Sequence, residues 1–231
     1  NTYLKQLEAL REREENIFHA STTGSCYRKQ LYTYYNFEPD PKDDKSLRLL
    51  RLGTIVHKDV EEALIKYEDR LVNMYSTLDD APMKRSVYSE KKVVEFNLYD
   101  LKTAAAYKWT TKFGRKENRK PDSDTNYKLQ LGTYALAIRH KYKPDKINMY
   151  LIWYNKNTSQ MREQLVSNHW IDEALSYWTE LNEIKDDLGK SFENELEPNM
   201  TEGVPFQDWE CRYCQYYSIC PSTLAEKKKR Y

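Results

Sequence analysis

The sequence predicts an α/β fold in which a mixed β-sheet is flanked by helices. Segments with apolar residues at every third or fourth position alternate with segments rich in β-branched and aromatic residues, in the order helix, strands, helix, strand, helix. The chain has 231 residues, enough to bury one sizeable core, so we expect a single domain over residues 1–231. Its 39% hydrophobic and 32% charged residues exclude an intrinsically disordered chain.

Three helices are predicted before the first strand. The first contains three leucines at helical spacing, Leu4, Leu7 and Leu10. Residues 21–23 offer capping side chains for a second helix that carries Cys26. A third helix is predicted over residues 55–75, and on it His57 and Glu61 lie one turn apart on the same face.

The remaining elements follow from changes in residue pattern. Residues 87–103 are rich in β-branched and aromatic residues, which predicts a strand. Residues 112–126 are basic, polar and turn-forming with little to bury, which predicts a mobile loop. Residues 127–142 predict a helix, residues 147–154 a buried strand and residues 170–188 a last helix.

Charge and hydropathy limit the classes of partner. Lysine and arginine total 37 against 36 for aspartate and glutamate, so any contact with nucleic acid must come from local basic patches. No apolar run reaches the length of a membrane span, and residues 1–18 are amphipathic and charged rather than signal-like. We therefore expect a cytoplasmic protein with no membrane partner.

The four cysteines are candidate metal ligands, because disulfides are rare in the reducing cytoplasm. Two residues separate Cys211 from Cys214, five separate Cys214 from Cys220, and Cys26 lies far upstream. Four thiolates suit a tetrahedral zinc ion or a four-iron cluster, and the spacing does not choose between them. Four unrelated buried thiols are the other interpretation. Either metal would join the elements at residues 21–35 and 207–223.

The triplet Asp100-Leu101-Lys102 stands at the end of the predicted strand, so Asp100 and Lys102 point to one side of the sheet. A carboxylate there can hold Mg²⁺ or Mn²⁺, while a lysine can orient an attacking water in phosphodiester hydrolysis. Alone, this triplet is a weak signal, since it is common by chance in charged chains. His57 can add an imidazole ligand, although a single helix histidine is more often a surface or core residue.

Several other polar side chains are candidate contacts to DNA. Gln130 and Tyr134 share a helix face and can reach a phosphate or a stacked base, with ordinary helix packing as the alternative. Basic residues can guide a strand electrostatically. Candidates of this kind are Arg28, Lys112, Arg115 and Lys116.

Taken together, these motifs resemble the RecB-like PD-(D/E)XK nucleases with a four-cysteine iron–sulfur cluster. That group includes the CRISPR-associated adaptation nuclease, the AddB nuclease domain and many phage exonucleases. The resemblance extends from Ser21 to Cys220. It is carried by the first-cysteine motif at 25–32, G-x-x-x-H at 53–57, D-x-K at 100–102, Q-x-x-x-Y at 130–134, and the terminal cysteine triplet.

The resemblance implies a restriction-endonuclease-like core and a divalent-metal-dependent deoxyribonuclease, an exonuclease rather than an endonuclease. His57, Asp100 and the Leu101 carbonyl would bind Mg²⁺ or Mn²⁺, with Asp100 and Lys102 as catalytic residues. The cysteines would hold a 4Fe-4S cluster. The implied setting is DNA recombination, repair or replication in a bacterial or phage-infected cell. Single-stranded or duplex DNA ends would be the substrate, and a separate helicase or recombination protein is a candidate partner.

One departure from the family pattern concerns a second metal-binding aspartate, which the family places on a strand before D-x-K. Residues 87–99 contain no aspartate and no glycine. One interpretation is that a segment near Tyr99 is missing from the sequence. The other is a natural deletion, with Glu90 or Glu95 as substitute or with catalysis lost. The alternative functions are therefore an inactive iron–sulfur DNA-binding module and a zinc-stabilised interaction protein.

Overall fold

Three strands form a mixed sheet in the order β1-β2-β3. The computed structural model describes residues 16–68, 95–120, 123–196, 210–211 and 213–220. The strands are β1 (Glu95–Ala104), β2 (Lys146–Asn155) and β3 (Met161–Val166). β1 pairs with β2 in parallel and β2 pairs with β3 in antiparallel orientation. The predicted α/β fold with a mixed sheet and helices is therefore confirmed, whereas β3 was not predicted.

Six α-helices accompany the sheet in the described part of the chain. They are α1 (Tyr27–Tyr34), α2 (Asp44–Glu68), α3 (Ala106–Phe113), α4 (Thr125–Tyr142), α5 (His169–Leu188) and α6 (Phe192–Glu195). Helices α4 and α5 begin within two residues of their predicted starts. The helix predicted from three N-terminal leucines, and residues 69–75 and 87–94, lie outside the described residues.

Two helix starts differ from the prediction. α2 begins at Asp44, well before residue 55, because the backbone N–H of Ser46 donates to Oδ1 of Asp43 at 2.6 Å and caps the first turn. α1 has Cys26 as its N-cap residue. The expected capping by residues 21–23 is wrong, because Ala20–Thr22 forms a separate 3₁₀ turn.

The loop predicted over residues 112–126 is shorter than expected, and residues 121–122 lie outside the described residues. Lys112 lies in the last turn of α3, Lys116–Asn118 forms a 3₁₀ turn, and Thr125 already belongs to α4. Asp124, the N-cap residue of α4, is completely buried. Lys112 and Asp124 of this segment form a buried ion pair, whereas residues 115–120 are exposed.

The described chain divides into two compact units, and the sheet belongs to the second, which consists of His19–Thr23 and Gly53–Ser176. One face of the sheet packs against α4, through a cluster that includes Leu98, Met149, Leu151, Trp153, Leu131, Ala135 and Ile138. The other face carries Tyr99, Leu101 and Ile152, against which Val56 and Val60 of α2 pack. Strand alternation therefore directs even-numbered β1 residues towards α4.

Gly132 permits the close approach of α4 to the first turn of α5. A Cβ atom built on Gly132 would lie 2.0 Å from the backbone oxygen of Trp170, a distance that no packed structure accommodates. This glycine is therefore required by backbone proximity rather than by its own conformation.

The first unit consists of Asn1–Phe18, Gly24–Leu52 and Tyr177–Tyr231. Its core is aromatic and brings α1 together with the second half of α5 and with residues near the C-terminus. The buried members are Tyr27, Leu31, Tyr32, Tyr177, Leu181, Phe192, Tyr216 and Cys220. The assignment of residues 1–231 to one domain stays a prediction. Among the helices described, none has the length and apolar character to cross a membrane.

Candidate active site and cysteine cavity

Asp100 and Lys102 lie on the α4 face of β1, as the strand period requires. Asp100 is buried, with 3% of its surface exposed. The Nζ atom of Lys102 lies 2.9 Å from Oδ2 of Asp100, and both side chains are largely withdrawn from solvent. The predicted juxtaposition of a carboxylate and an ammonium group is therefore present.

Gln130 and Tyr134 hold this lysine in place. Lys102 Nζ donates to Oε1 of Gln130 at 2.6 Å, and Nε2 of Gln130 donates to the hydroxyl of Tyr134 at 2.7 Å. Both α4 residues are buried, and burial raises the pKa of Tyr134, so its hydroxyl stays protonated. The expected shared helix face is correct. This face of α4 points into the interior, towards Lys102. The expectation that Gln130 and Tyr134 contact DNA does not fit their buried positions.

His57 lies in the electrostatic field of the same pair. Burial lowers the pKa of His57; the Asp100 carboxylate opposes this shift, and the Lys102 ammonium adds to it. The imidazole is therefore neutral near pH 7, which is the form that binds a metal ion.

Some of the ligands that a hard divalent cation needs are present around Asp100. Oδ2 of Asp100 is buried, and no described residue gives it a hydrogen bond of good geometry, although the Lys102 ammonium is its ion-pair partner. A buried carboxylate oxygen suits Mg²⁺ or Mn²⁺, whereas an imidazole nitrogen suits softer divalent metals better. The Leu101 carbonyl is the third predicted ligand. Within the described ranges, no three His, Cys, Asp or Glu side chains form a ready metal-binding group.

Glu95 does not supply the missing acid. It stands five residues before Asp100, about 17 Å along the strand, and its side chain points to the opposite face. Its Oε1 atom accepts hydrogen bonds from Lys146 Nζ at 3.0 Å and from Asn148 Nδ2 at 2.5 Å. Glu90, the other candidate substitute, lies outside the described residues.

β1 continues without interruption through Tyr99. Every residue of Glu95–Ala104 has a register partner on β2, with Tyr99 opposite Tyr150 and Asp100 opposite Leu151. The chain therefore makes no hairpin at the point where the family pattern has one.

Asp124 is the buried acidic residue that the sequence prediction missed. Lys112 Nζ contacts its Oδ2 atom, Lys128 Nζ lies 3.0 Å from Oδ1, and Gln164 Nε2 donates to Oδ2 at 3.0 Å. Burial tends to raise the pKa of Asp124, but these three partners outweigh it and the pKa is lowered. Its place directly before the helix of Tyr127 was a readable N-cap signal.

The predicted basic contacts to DNA have different surroundings. Arg115 and Lys116 are exposed and make no side-chain ion pair among the described residues. The Lys112 side chain is only 14% exposed because it pairs with Asp124. Arg28 is 3% exposed, and its guanidinium donates to the carbonyls of Leu196 and Glu193 at 2.8 and 2.7 Å. The expectation that Arg28 contacts DNA therefore does not fit this structure, in which Arg28 joins elements of the first unit.

All four cysteines line one cavity in the first unit. The cavity has a volume of about 340 Å³, counted with the open solvent at its mouth. Cys26 lies at the start of α1, Cys211 lies in a short helical segment, and Cys214 and Cys220 flank the turns that follow it. None of the four forms a disulfide. The predicted convergence of the distant Cys26 with the terminal triplet is therefore present.

The surroundings of the thiols favour their anionic form only in part. Burial raises the pKa of Cys214 to about 11, while the Tyr216 N–H, which donates to its sulfur at 3.4 Å, and Lys29 act in the other direction. Glu210 also lines the cavity; it accepts from the Cys26 N–H at 3.2 Å and lies 3.7 Å from the Lys29 ammonium. The four thiols line the cavity together, but among the described residues they do not form a group already spaced to hold a metal ion.

Comparison with known proteins gives one family match. The profile of the PD-(D/E)XK nuclease superfamily matches residues 87–221, more than half of the chain. A solved structure described as "Crystal structure of SSO0001" superposes with a TM-score of 0.49 and 14% sequence identity, over 96% of this chain and 94% of that chain. No curated protein sequence matches.

Proposed function

Because the chain belongs to the PD-(D/E)XK nuclease superfamily, we propose that it is a divalent-metal-dependent DNA nuclease with its centre at Asp100 and Lys102. The observation that carries this proposal is the position of Lys102, whose ammonium group is fixed between Asp100 Oδ2 and Gln130 Oε1. A lysine that only formed a surface ion pair would not need a buried amide, itself oriented by Tyr134, to hold it.

Each residue of the candidate active site has a separate role in phosphodiester hydrolysis. Asp100, His57 and the Leu101 carbonyl would hold Mg²⁺ or Mn²⁺, which would supply water activation and charge neutralisation at the scissile phosphate. Lys102 orients the attacking water and stabilises negative charge that develops on the phosphate. Gln130 and Tyr134 position Lys102 and do not touch the substrate. The family resemblance supports an exonuclease acting on DNA ends in recombination, repair or replication.

The four cysteines hold an iron–sulfur cluster in this proposal. Their common cavity supports a bound metal, and the resemblance to the cluster-bearing nucleases favours 4Fe-4S over zinc. Cys26 would then be joined to Cys211, Cys214 and Cys220, so the cluster stabilises the first unit by connecting α1 to the C-terminal turns.

An inactive DNA-binding module is the second candidate function. One observation favours it: within the described residues, Asp100 is the only carboxylate at the candidate metal site. A metal ion held by one carboxylate and one imidazole binds weakly. This module would bind DNA through exposed basic residues such as Arg115 and Lys116 and would not cleave it.

Cleavage and colour distinguish these functions in one experiment. The protein is purified without air and incubated with labelled single-stranded and duplex DNA and either Mg²⁺ or Mn²⁺, alongside Lys102→Ala. Cleavage by the parent protein but not by Lys102→Ala is the expected result, from a brown sample that contains iron. A folded, brown protein that cleaves no DNA with either metal would exclude the enzyme. A colourless sample with zinc would exclude the iron–sulfur cluster.

A further inference from the structure

A group of lysines surrounds the buried carboxylate of Asp124 in the second unit. Lys112 and Lys128 are its ion-pair partners, with side chains 14% and 18% exposed. A third, Lys108, donates to the backbone oxygen of Ser123, the residue before Asp124. We call Lys108, Lys112 and Lys128 the Asp124 lysines.

Among the described side chains of this group, positive charge exceeds negative charge. Among the ion pairs of the described residues, Lys112 and Lys128 both pair with Asp124, so two ammonium groups share one carboxylate, while Lys108 contacts the neighbouring Ser123 carbonyl. Burial lowers the pKa of Lys108; Asp124 opposes this and the neighbouring Lys112 adds to it. An internal ion pair needs one lysine. Keeping three partly buried ammonium groups together is costly unless a further anion shares the charge.

Aromatic rings support the same lysines. Lys128 lies over the ring of Trp170 at 5.4 Å and Lys112 over Trp153 at 5.9 Å, measured to the ring centroids. Gln164, which donates to Asp124, is itself oriented by the indole N–H of Trp153 at 3.0 Å. The ammonium groups therefore have defined positions, unlike lysines on a solvated surface.

Tyr127 connects the Asp124 lysines to the candidate active site. Lys102 Nζ lies 4.9 Å from the centroid of its ring and Lys108 Nζ lies 5.1 Å from the same point. The two ammonium groups are therefore no more than about 10 Å apart. Burial raises the pKa of Tyr127, and both Asp100 and Asp124 contribute to the shift, so the ring is close to both carboxylates.

We propose that the Asp124 lysines form a second phosphate-binding site, which holds a DNA backbone phosphate next to the one cleaved at Asp100 and Lys102. Each strand of B-form DNA rises roughly 3.4 Å per nucleotide, so a phosphate at Lys108 lies within about three nucleotides of the phosphate at Lys102. The ligand is a DNA phosphodiester; Asp124 is a positioning residue that holds the lysines and does not touch DNA. This inference rests on the proposed function, because it places the strand by the candidate active site.

The test measures DNA binding in the absence of divalent metal, so that it does not depend on cleavage. The Kd of the full chain for a labelled oligonucleotide is measured as a function of salt concentration for Lys108→Gln, Lys128→Gln and the parent protein. Lys143→Gln is the matched control, because Lys143 is an exposed lysine of the same unit at the far end of α4. Each Asp124-lysine variant should weaken binding and lower the slope of log Kd against log salt by about 1. The control should change neither quantity.

Two comparisons separate this site from a structural ion-pair network and from the nuclease itself. Lys108→Gln leaves both ion pairs of Asp124 in place, so circular dichroism should show an unchanged fold even where Lys128→Gln does not fold. If folded Lys108→Gln has the same Kd and the same salt dependence of Kd as the parent, the second phosphate site is excluded. This holds whether or not the parent cleaves DNA. Reduced slope in a protein that cleaves no DNA supports the site and excludes only the nuclease. In an active protein, KM should rise with kcat retained.

Discussion

The ammonium group of Lys102 donates to the side-chain oxygen of Gln130 at 2.6 Å, and Gln130 in turn donates to the hydroxyl of Tyr134. The amide of Gln130 cannot rotate without losing one of these bonds. A strand residue is thus fixed by two residues one turn apart on a helix, and the position of Lys102 depends on both elements.

Gln130→Ala should lower kcat by about tenfold to a hundredfold, because Lys102 loses the acceptor that sets its position. KM should change little, since Gln130 is buried and does not reach the substrate. Tyr134→Phe is the matched control: it keeps the ring and removes only the acceptor for Gln130, so a smaller fall in kcat is expected. Steady-state kinetics would contradict this account if Gln130→Ala raised KM alone, as loss of a DNA contact would.

Gly132→Ala should destabilise the protein by about 1–3 kcal/mol, because its Cβ atom would meet the backbone oxygen of Trp170 at 2.0 Å. Gly53→Ala is the opposite case. The nearest atom to a Cβ at Gly53 is Oγ1 of Thr103 at 3.8 Å, an ordinary contact, and Gly53 lies inside α2. That variant should gain about 0.5–1 kcal/mol from helix propensity. Urea unfolding of both variants would refute the close-approach argument if they shifted in the same direction.

Asp124 should make stability depend on pH in the acid range. Its folded-state pKa is lowered below the ordinary value of 3.8, so the folded state binds fewer protons than the unfolded state as the pH falls. The stabilisation from Asp124 is therefore fully present above the unfolded pKa and is lost as the pH drops through the lower, folded pKa. Asp124→Asn should be less stable than the parent at pH 6, and the difference should shrink below about pH 4. A constant difference across a pH series of thermal unfolding curves would show that Asp124 stabilises by packing alone.

Cys220→Ser should abolish visible absorption and lower the temperature of unfolding, because it removes one of the four proposed cluster ligands from the shared cavity. Chelation of the metal should lower that temperature in the parent and leave Cys220→Ser unaffected. Tyr213→Ala is the control, because Tyr213 lies between two of the cysteines but is 81% exposed. An undiminished iron content in Cys220→Ser would show that Cys220 is not a ligand.

The sequence identified Asp100 and Lys102 correctly as neighbours, because strand alternation is a local property that residue pattern reveals. It also identified Gln130 and Tyr134 as sharing a helix face, but it could not say which face is buried. The buried face is the one that packs on β1, and the pairing of β1 with a distant strand cannot be read from the local sequence. The role of Lys112 was missed for the same reason: its partner, Asp124, is identifiable only after the chain between them has folded. β3 was missed because Met161–Val166 is an edge strand whose exposed positions break the apolar pattern.

The parallel pairing of β1 with β2 has a consequence for synthesis of the chain. Lys102 lies opposite Trp153, 51 residues later, and the two strands can align only after α3 and α4 have been made and folded between them. Ribosomes add on the order of ten residues per second, so β1 waits several seconds for its partner. During that interval Asp100 and Lys102 have no paired strand to hold them, so the candidate active site is completed only after β2 has been synthesised.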